Sequence, residues 1–237
     1  MASTPDLAER QAAAPARSLE DLAPGTGPPE RWYDRSSIQA DAMVTIADQS
    51  PEDFERLAPE GRFCEYIDGV IYMPSPATDR HQLIVFFLAS LFDFFRWERG
   101  GPAFADLLLG PAVLRLSETC KLEPDIFIRP AAGAEGDQPP ALLVVEVLSR
   151  STKSHDLGRK LQVYRDAGIP EIWLIDDLSE DRAIYVERKV GEGYRRDMVR
   201  QGRVESTILP GFWINAEWLW AQSLPNPREC LLQMLGP

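Results

Sequence analysis

The chain has 237 residues, 44% of them hydrophobic, and a formal net charge of −12 at pH 7. This composition is typical of a folded protein with a sizeable core, and it excludes an indiscriminate nucleic-acid binder, because such proteins cluster Lys and Arg against the phosphate backbone. The three cysteines (Cys64, Cys120 and Cys230) are widely separated, which argues against a zinc site built from thiolates and for a reducing compartment. We therefore expect a soluble, cytoplasmic protein that does not associate with membranes.

The first hundred residues predict an extension, two helices and a hairpin. Residues 1–40 are rich in Ala, Pro, Glu and Asp and show no sustained hydrophobic periodicity, which predicts a mobile N-terminal extension. The early acids and the lack of an apolar stretch predict that it is no signal peptide. Ser50, followed by proline, predicts the start of a short helix, and apolar runs on both sides of Asp68 and Gly69 predict a β-hairpin. A long helix is predicted from about Asp79 to a pair of glycines. It is apolar on most of its circumference, so we expect it to be buried on more than one side.

The rest of the chain predicts short strands, a further helix and a second hairpin. The predicted strands span residues 104–109, 112–116, 125–128, 142–148 and 171–176. A polar turn over 149–154 leads into a helix predicted over 156–167, and a hairpin is predicted over 183–200. The order of elements predicts an α/β fold with a mixed β-sheet flanked by helices and added hairpins, in one domain over 41–224 followed by a C-terminal tail over 225–237.

Glu146 lies in the middle of the most apolar run of the chain, "ALLVVEVL". Because side chains alternate along a strand, Glu146 shares a face with Val144 and Leu148, both of them aliphatic. A buried carboxylate is costly unless a cation, a metal ion or hydrogen bonds satisfy it. Two interpretations follow: a structural Arg or Lys holds Glu146, or a metal ion does.

Asp125 favours the metal ion. It opens the strand "PDIFI", and if that strand neighbours the strand of Glu146, the two carboxylates converge at one end of the sheet. Two ionised carboxylates repel each other, and a divalent cation relieves the repulsion. Oxygen ligands with room for water suit Mg²⁺ or Mn²⁺. Taken alone, Asp125 is equally well explained as a residue that caps a turn.

Lys160 is the third candidate. On the predicted helix it lies between Leu157 and Tyr164 at helical spacing, so it borders the buried face. A lysine near two carboxylates can orient an attacking water or stabilise charge in a transition state. There are two alternatives. Lys160 could form an ordinary ion pair with Asp156, or it could bury the aliphatic part of its side chain and extend its ammonium group into solvent.

These residues carry a family resemblance. "PD" at residues 124–125 and "ExL" at 146–148 are followed by "SxSxxxxDLGxKLxxYxxAGIPEIWLID" at 149–176, and together they resemble the Uma family of restriction-endonuclease-like proteins in the PD-(D/E)XK nuclease superfamily. The resemblance implies a mixed sheet flanked by helices and a metal-dependent cleavage of phosphodiester bonds. Asp125 and Glu146 match the two acids of the superfamily motif.

The chain departs from the superfamily pattern at two positions. Leu148 stands where the superfamily lysine falls, and the resemblance suggests that Lys160 has taken over its role. Val70 stands where the family hairpin often carries a second acid. Glu65 and His81 still match the family pattern and are additional site candidates, although a histidine near a helix start is also typical of capping or packing.

The predicted function is a metal-dependent endonuclease acting on nucleic acid, with DNA favoured. Asp125, Glu146 and the main-chain carbonyl of Val147 are predicted to bind Mg²⁺ or Mn²⁺, and Asp125, Glu146 and Lys160 to be catalytic. The alternative is a module that keeps the nuclease fold and binds nucleic acid or protein without catalysis, and both the net charge and Leu148 favour it.

Two kinds of partner are predicted besides the metal ion. Arg150, Lys153 and Arg159 belong to a local basic cluster and are candidates for contacts with nucleic acid. The apolar long helix and the tryptophans near the C-terminus leave room for a homodimer interface.

Overall fold

The computed structural model describes residues 43–58, 63–101, 104–131 and 139–236. The predicted extension over 1–40 lies outside these residues. In chain order the elements are β1 (Val44–Ile46), α1 (Pro51–Leu57), β2 (Glu65–Ile67), β3 (Val70–Met73), α2 (Asp79–Glu98), β4 (Ala105–Leu109), β5 (Leu114–Ser117), β6 (Cys120–Leu122), β7 (Ile126–Pro130), β8 (Leu143–Val147), α3 (Lys153–His155), a π-helical turn (Asp156–Lys160), α4 (Leu161–Asp166), β9 (Glu171–Asp176), β10 (Ala183–Val190), β11 (Gly193–Val199), β12 (Arg203–Glu205), β13 (Trp213–Asn215), α5 (Ala216–Trp220) and α6 (Pro227–Leu235).

A six-stranded mixed sheet forms the centre of the fold, in the order β11–β10–β9–β8–β7–β4. Strands β8 and β9 are parallel, with Glu146 opposite Leu174, and the other neighbours are antiparallel. A parallel pair needs a crossover connection, which here contains α3, the π-helical turn and α4. The predicted mixed sheet flanked by helices is confirmed.

Strand β8 is buried on both faces, and its side chains divide between two hydrophobic cores. Leu143, Val145 and Val147 pack in the core beneath α2. Val144 and Leu148 pack in the core beneath α4. The alternation predicted from the sequence is thereby confirmed, and it points Glu146 towards the helix of the crossover.

Helix α2 is buried against the sheet and against α6, and its remaining side is exposed. Its N-cap is Thr78, whose hydroxyl accepts a hydrogen bond from the His81 amide at 3.2 Å. Residues such as Leu88 and Leu91 are fully buried, whereas Phe86 is 70% exposed. The expectation of burial on more than one side is therefore confirmed, with one side of the helix left exposed. No helix within the described ranges combines the length and apolar character needed to cross a bilayer.

A five-stranded sheet, in the order β1–β3–β2–β6–β5, carries the predicted hairpin. Asp68 and Gly69 form its turn with φ angles of 44° and 87°, the left-handed region that such two-residue turns require. Strand β6 is only three residues long and was not predicted. Its pairing with β2 places the start of β2, at Glu65, beside the residues that follow β6.

The crossover helix begins earlier than the sequence predicts and is not a regular α-helix. It starts at Lys153, within the predicted polar turn, and widens into a π-helical turn in which the Leu161 amide donates to the carbonyl of Asp156, five residues earlier. A π-helical turn changes which side chains face inward, and such turns are frequent at functional sites. Asp156 and Lys160, at the two ends of this turn, are both buried.

The C-terminal residues, predicted as a tail, form α6 after an N-cap at Asn226. Cys230 and Leu231 on α6 are buried in the core beneath α2. The tryptophans near the C-terminus also pack inward, fully in one case and partly in two: Trp213, Trp218 and Trp220. This packing follows the usual preference of aromatic side chains for the core, and the homodimer interface at these residues stays a prediction.

Candidate active site

Five carboxylates and one lysine lie close together where β8, the start of β2 and the π-helical turn meet. All are buried except Asp125, whose side chain is 13% exposed. The members are Glu65, Glu123, Asp125, Glu146, Asp156 and Lys160. Two histidines (His81 and His155) border the same cluster. Because ionised carboxylates outnumber the single ammonium, this cluster favours the uptake of protons or of a cation.

Lys160 is the charge centre of the cluster. Its Nζ lies 2.6 Å from Glu65 Oε1, 2.8 Å from Glu146 Oε1 and 3.9 Å from Asp156 Oδ1. Burial lowers the pKa of Lys160, but the carboxylates of Glu146, Glu65 and Asp156 more than offset it, so the pKa is raised well above its usual value. The side chain therefore points inward as an ammonium, in the direction predicted from its helical position.

Glu146 has two partners on the same oxygen. Its Oε1 accepts a hydrogen bond from the Tyr164 hydroxyl at 2.6 Å in addition to the contact with Lys160. Burial raises the pKa of Glu146 well above its usual value, and Lys160 opposes this shift. The sequence favoured a metal ion as the partner of Glu146. In this structure the partners are a lysine and a tyrosine, because the crossover helix lies directly over that face of β8.

Asp125 lies at the carboxyl end of β8, immediately before β7. Its Oδ2 accepts a hydrogen bond from the Val147 amide at 2.7 Å and lies 3.2 Å from His81 Nε2. Since Val147 follows Glu146 on the strand, Asp125 and Glu146 are at the same end of the sheet. The negative charge of Asp125 contributes to raising the pKa of Glu146.

His81 contacts Asp125 from the first turn of α2. Burial lowers the pKa of His81, but the hydrogen-bond contact with Asp125, the charge of Asp125 and the nearby Val147 backbone raise it overall. Its Nδ1 is buried without a hydrogen-bond partner among the described residues. The capping alternative applies to the backbone amide of His81, which Thr78 caps, while the imidazole faces Asp125.

A comparison with known families shows which family the chain belongs to. The Uma2 family, described as "Putative restriction endonuclease", matches residues 51–217. The chain belongs to the Uma2 family. The crystal structure of a "putative nuclease belonging to DUF820" from Anabaena variabilis has a similar fold, with a TM-score of 0.57 and 16% identity over 72% of this chain and 97% of that chain. No curated protein matches the chain.

Glu65 is the ionised partner of Lys160. Burial raises its pKa, but Lys160 and His155 lower it to about 2 overall. Its Oε1 also accepts a hydrogen bond from the Glu123 amide at 3.1 Å. Glu65 therefore joins the hairpin to the crossover helix through Lys160.

Three residues of this cluster were missed as site candidates. His155 Nε2 lies 3.4 Å from Glu65 Oε2, and its ring is 4.3 Å from that of Tyr72. Burial raises the pKa of Glu123 to about 7 and that of Asp156 to about 6, with Lys160 opposing both shifts. Asp156 was considered only as an ordinary partner of Lys160, while His155 and Glu123 carry no sequence signal beyond their proximity to motif residues.

The basic candidates for nucleic-acid contact lie around the crossover helix. Lys153 Nζ is 2.7 Å from Oδ2 of the buried Asp176, and Arg159 is 2.5 Å from Asp68 Oδ2 at the hairpin turn. Arg150 is exposed. Lys153 and Arg159 thus already have acidic partners, which reduces the positive charge that they offer to a phosphate backbone.

The fit of a divalent cation depends on the chemistry of the donors. Within the described ranges, no three His, Cys, Asp or Glu side chains converge as a metal site. The predicted set is smaller, with two carboxylates, of Asp125 and Glu146, and the carbonyl of Val147. All are oxygen donors in a cluster with surplus negative charge, which suits Mg²⁺ or Mn²⁺ with water in the remaining positions.

Proposed function

We propose that this Uma2 protein is a metal-dependent endonuclease that hydrolyses phosphodiester bonds of nucleic acid. Membership of the family supports the nuclease class. The observation that carries the proposal is the 2.8 Å contact between Lys160 and Glu146, because a lysine reaches the motif glutamate although Leu148 occupies the usual lysine position. DNA is the proposed substrate and the cytoplasm the proposed location.

Each residue has a role in this proposal. Asp125, Glu146 and the Val147 carbonyl would hold the cation, and a bound Mg²⁺ or Mn²⁺ supplies a Lewis acid and a water of lowered pKa. Lys160 balances negative charge and is positioned to orient the attacking water or to stabilise the charge that develops on the phosphate. His81 orients Asp125 through the contact with its Oδ2.

The rival is a non-catalytic module that keeps the fold and binds nucleic acid or protein. The observation in its favour is that Lys160 is 5% exposed and already engaged by Glu65 and Glu146, as in a structural ion cluster. The net charge of −12 also favours it. A non-catalytic module does not need to bind a divalent ion at Asp125 and Glu146. Measuring metal binding at these residues therefore separates the two functions.

Cleavage assays on the purified full-length chain test the proposal. Supercoiled plasmid, single-stranded DNA and RNA are incubated with Mn²⁺, Mg²⁺ or EDTA. We expect nicking of plasmid DNA with either ion, none with EDTA, and none for Glu146→Gln. The matched control is Glu192→Gln in the exposed turn between β10 and β11, and this variant should retain full activity.

Two results would contradict the proposal. Equal cleavage by Glu146→Gln and by the parent protein would point to a contaminating nuclease. Cleavage by neither, with no Mn²⁺ binding by the parent, would favour the non-catalytic module. Preference for RNA over DNA would correct the substrate and leave the site assignment in place.

A further inference from the structure

Helix α2 carries an exposed apolar stripe on the side opposite its buried face. Its four members are exposed by 55%, 70%, 38% and 59%: Leu83, Phe86, Phe94 and Trp97. A helical repeat of 3.6 residues puts these positions on one narrow face. Large apolar side chains gathered in this way, on an otherwise acidic and charged protein, mark an interaction surface.

The spacing of the stripe is symmetric about Ser90. Phe86 and Phe94 lie four residues on either side of Ser90, and Leu83 and Trp97 lie seven residues on either side. A two-fold axis through Ser90, perpendicular to the helix, therefore brings Phe86 of one copy onto Phe94 of the other, and Leu83 onto Trp97. This is the property of an isologous interface, in which residue i contacts residue j and residue j contacts residue i.

Ser90 suits the crossing point of two helices. It is small, so it permits close approach of the two backbones. Its hydroxyl donates a hydrogen bond to the Phe86 carbonyl at 2.8 Å, within its own helix. Because this polar group is already satisfied, burying it in an interface leaves no unpaired donor, which is the usual cost of a polar residue at such a position.

The area of the stripe is sufficient for a specific contact. A fully buried aromatic side chain accounts for about 150–250 Å². At the exposures above, the three aromatic residues offer roughly 250–400 Å² in each copy. With Leu83 included, the apolar area buried in the two copies together is roughly 700–1,000 Å², and the polar flanks add to it. A biological interface is expected to bury about 1,000 Å².

We propose that a second copy of this chain docks on α2, with the two helices antiparallel and crossing at Ser90. Phe86 of each copy packs on Phe94 of the other, and Leu83 packs on Trp97. The stripe faces away from the sheet, so this interface is separate from the cluster around Lys160. The inference is independent of the proposed nuclease activity.

Charge substitutions test the pairing directly. In the two-fold dimer, Phe86→Lys and Phe94→Glu each bury a charge at two symmetric aromatic contacts, so each should raise the dimer dissociation constant at least tenfold in sedimentation velocity. The double variant Phe86→Lys/Phe94→Glu puts opposite charges against each other twice and should recover most of the dimer. In a parallel arrangement the double variant would instead set like charges together and remain monomeric.

A disulfide cross-link tests the axis. Ser90→Cys should form a covalent dimer under mild oxidation, because the two substituted positions meet on the two-fold axis. The matched control is Gln82→Cys, on an exposed position of the same helix. Its two copies would lie about 24 Å apart along the axis, since each residue rises 1.5 Å, and should not cross-link. The native cysteines are buried and serve as an internal control for non-specific oxidation: Cys64, Cys120 and Cys230.

The outcomes are distinct from those of the nuclease assays. A parent protein that stays monomeric at about 100 μM, or a Gln82→Cys variant that cross-links as readily as Ser90→Cys, would overturn the proposal. All substituted positions are exposed or half-buried, so circular dichroism and the melting temperature should stay close to those of the parent. A parent protein that forms the dimer but cleaves no nucleic acid would contradict only the proposed nuclease activity.

Discussion

Lys160 and Glu146 come from different elements and meet with their charged atoms 2.8 Å apart. Glu146 lies on the central strand and Lys160 at the end of a π-helical turn fourteen residues later. Leu148, two residues after Glu146, is apolar and packs in the core beneath α4. The crossover helix thus brings a lysine to a position that the strand does not supply.

Lys160→Met should destabilise the protein strongly at neutral pH. It removes the ammonium shared by Glu65, Glu146 and Asp156, and an uncompensated buried charge typically costs about 3–5 kcal/mol. The penalty should shrink at pH 5, where the raised pKa values of Glu146 and Asp156 allow these groups to be protonated. Urea unfolding at pH 7.5 and pH 5 measures both values.

The control for this variant is Lys153→Met. Its partner Asp176 keeps hydrogen bonds from the Ser179 hydroxyl and from the amides of Leu178 and Ser179, so the loss should be smaller. A loss for Lys160→Met that is no larger than for Lys153→Met, or that does not depend on pH, would contradict a charge-balancing role for Lys160.

Glu65→Gln should lower the melting temperature more than Glu146→Gln at pH 7.5. Glu65 has a pKa of about 2 and is the ionised partner of Lys160, whereas the pKa of Glu146 is raised. In the Glu146→Gln variant, Lys160 keeps its ion pair with Glu65, and the side-chain amide oxygen of the new glutamine can still accept the hydrogen bond from the Tyr164 hydroxyl. We therefore expect a change of only a few degrees for Glu146→Gln by differential scanning calorimetry. The reverse order would show that Glu146 holds the greater share of the negative charge.

Stability without divalent ions should fall as the pH rises from about 5 to 8. Burial raises the pKa of Glu123 from 4.5 to about 7 and that of Asp156 from 3.8 to about 6. At a pH between the ordinary and the raised pKa of each group, the folded state holds a proton that the unfolded chain has released. The free energy of unfolding therefore decreases as the pH rises. Below pH 4.5 the lowered pKa of Glu65 acts in the opposite direction, and stability is lost as the pH falls towards 2.

Thermal melts in EDTA across this range provide the measurement. Glu123→Gln should flatten the decline between pH 5 and 8, because its side-chain oxygen can still accept from the Cys64 amide while the titrating group is gone. An unchanged slope in Glu123→Gln would exclude Glu123 as a source of the pH dependence.

Mn²⁺ should raise the melting temperature of the parent protein at pH 7.5, independently of any cleavage. A ligand that binds only the folded state stabilises it by an amount that grows with its concentration. Asp125→Asn should remove this shift, because it takes away one of the two proposed carboxylate ligands. Asp106→Asn, at a position on β4 away from the cluster, should leave it intact. A shift that survives in Asp125→Asn would place the bound ion elsewhere.

Much of the local structure follows from the sequence, because short-range chemistry decides it. The Asp68-Gly69 turn, the cap at Ser50 and the alternation along β8 depend on neighbouring residues and were predicted. Helical spacing likewise placed Lys160 on the inner border of the crossover helix. These features, with the family motifs, also led to the prediction that Asp125, Glu146 and Lys160 belong to one site, and the structure places Lys160 next to Glu146.

The tertiary structure alone decided how the charges of that site are shared. Glu65 reaches Lys160 only because β2 pairs with the short strand β6, and Glu123 enters the cluster by the same pairing. The π-helical turn, which directs Asp156 and Lys160 inward, has no local signature in the chain. Electrostatic free energy in a buried cluster depends on distances of a few ångströms between distant segments, and packing, not sequence spacing, sets those distances.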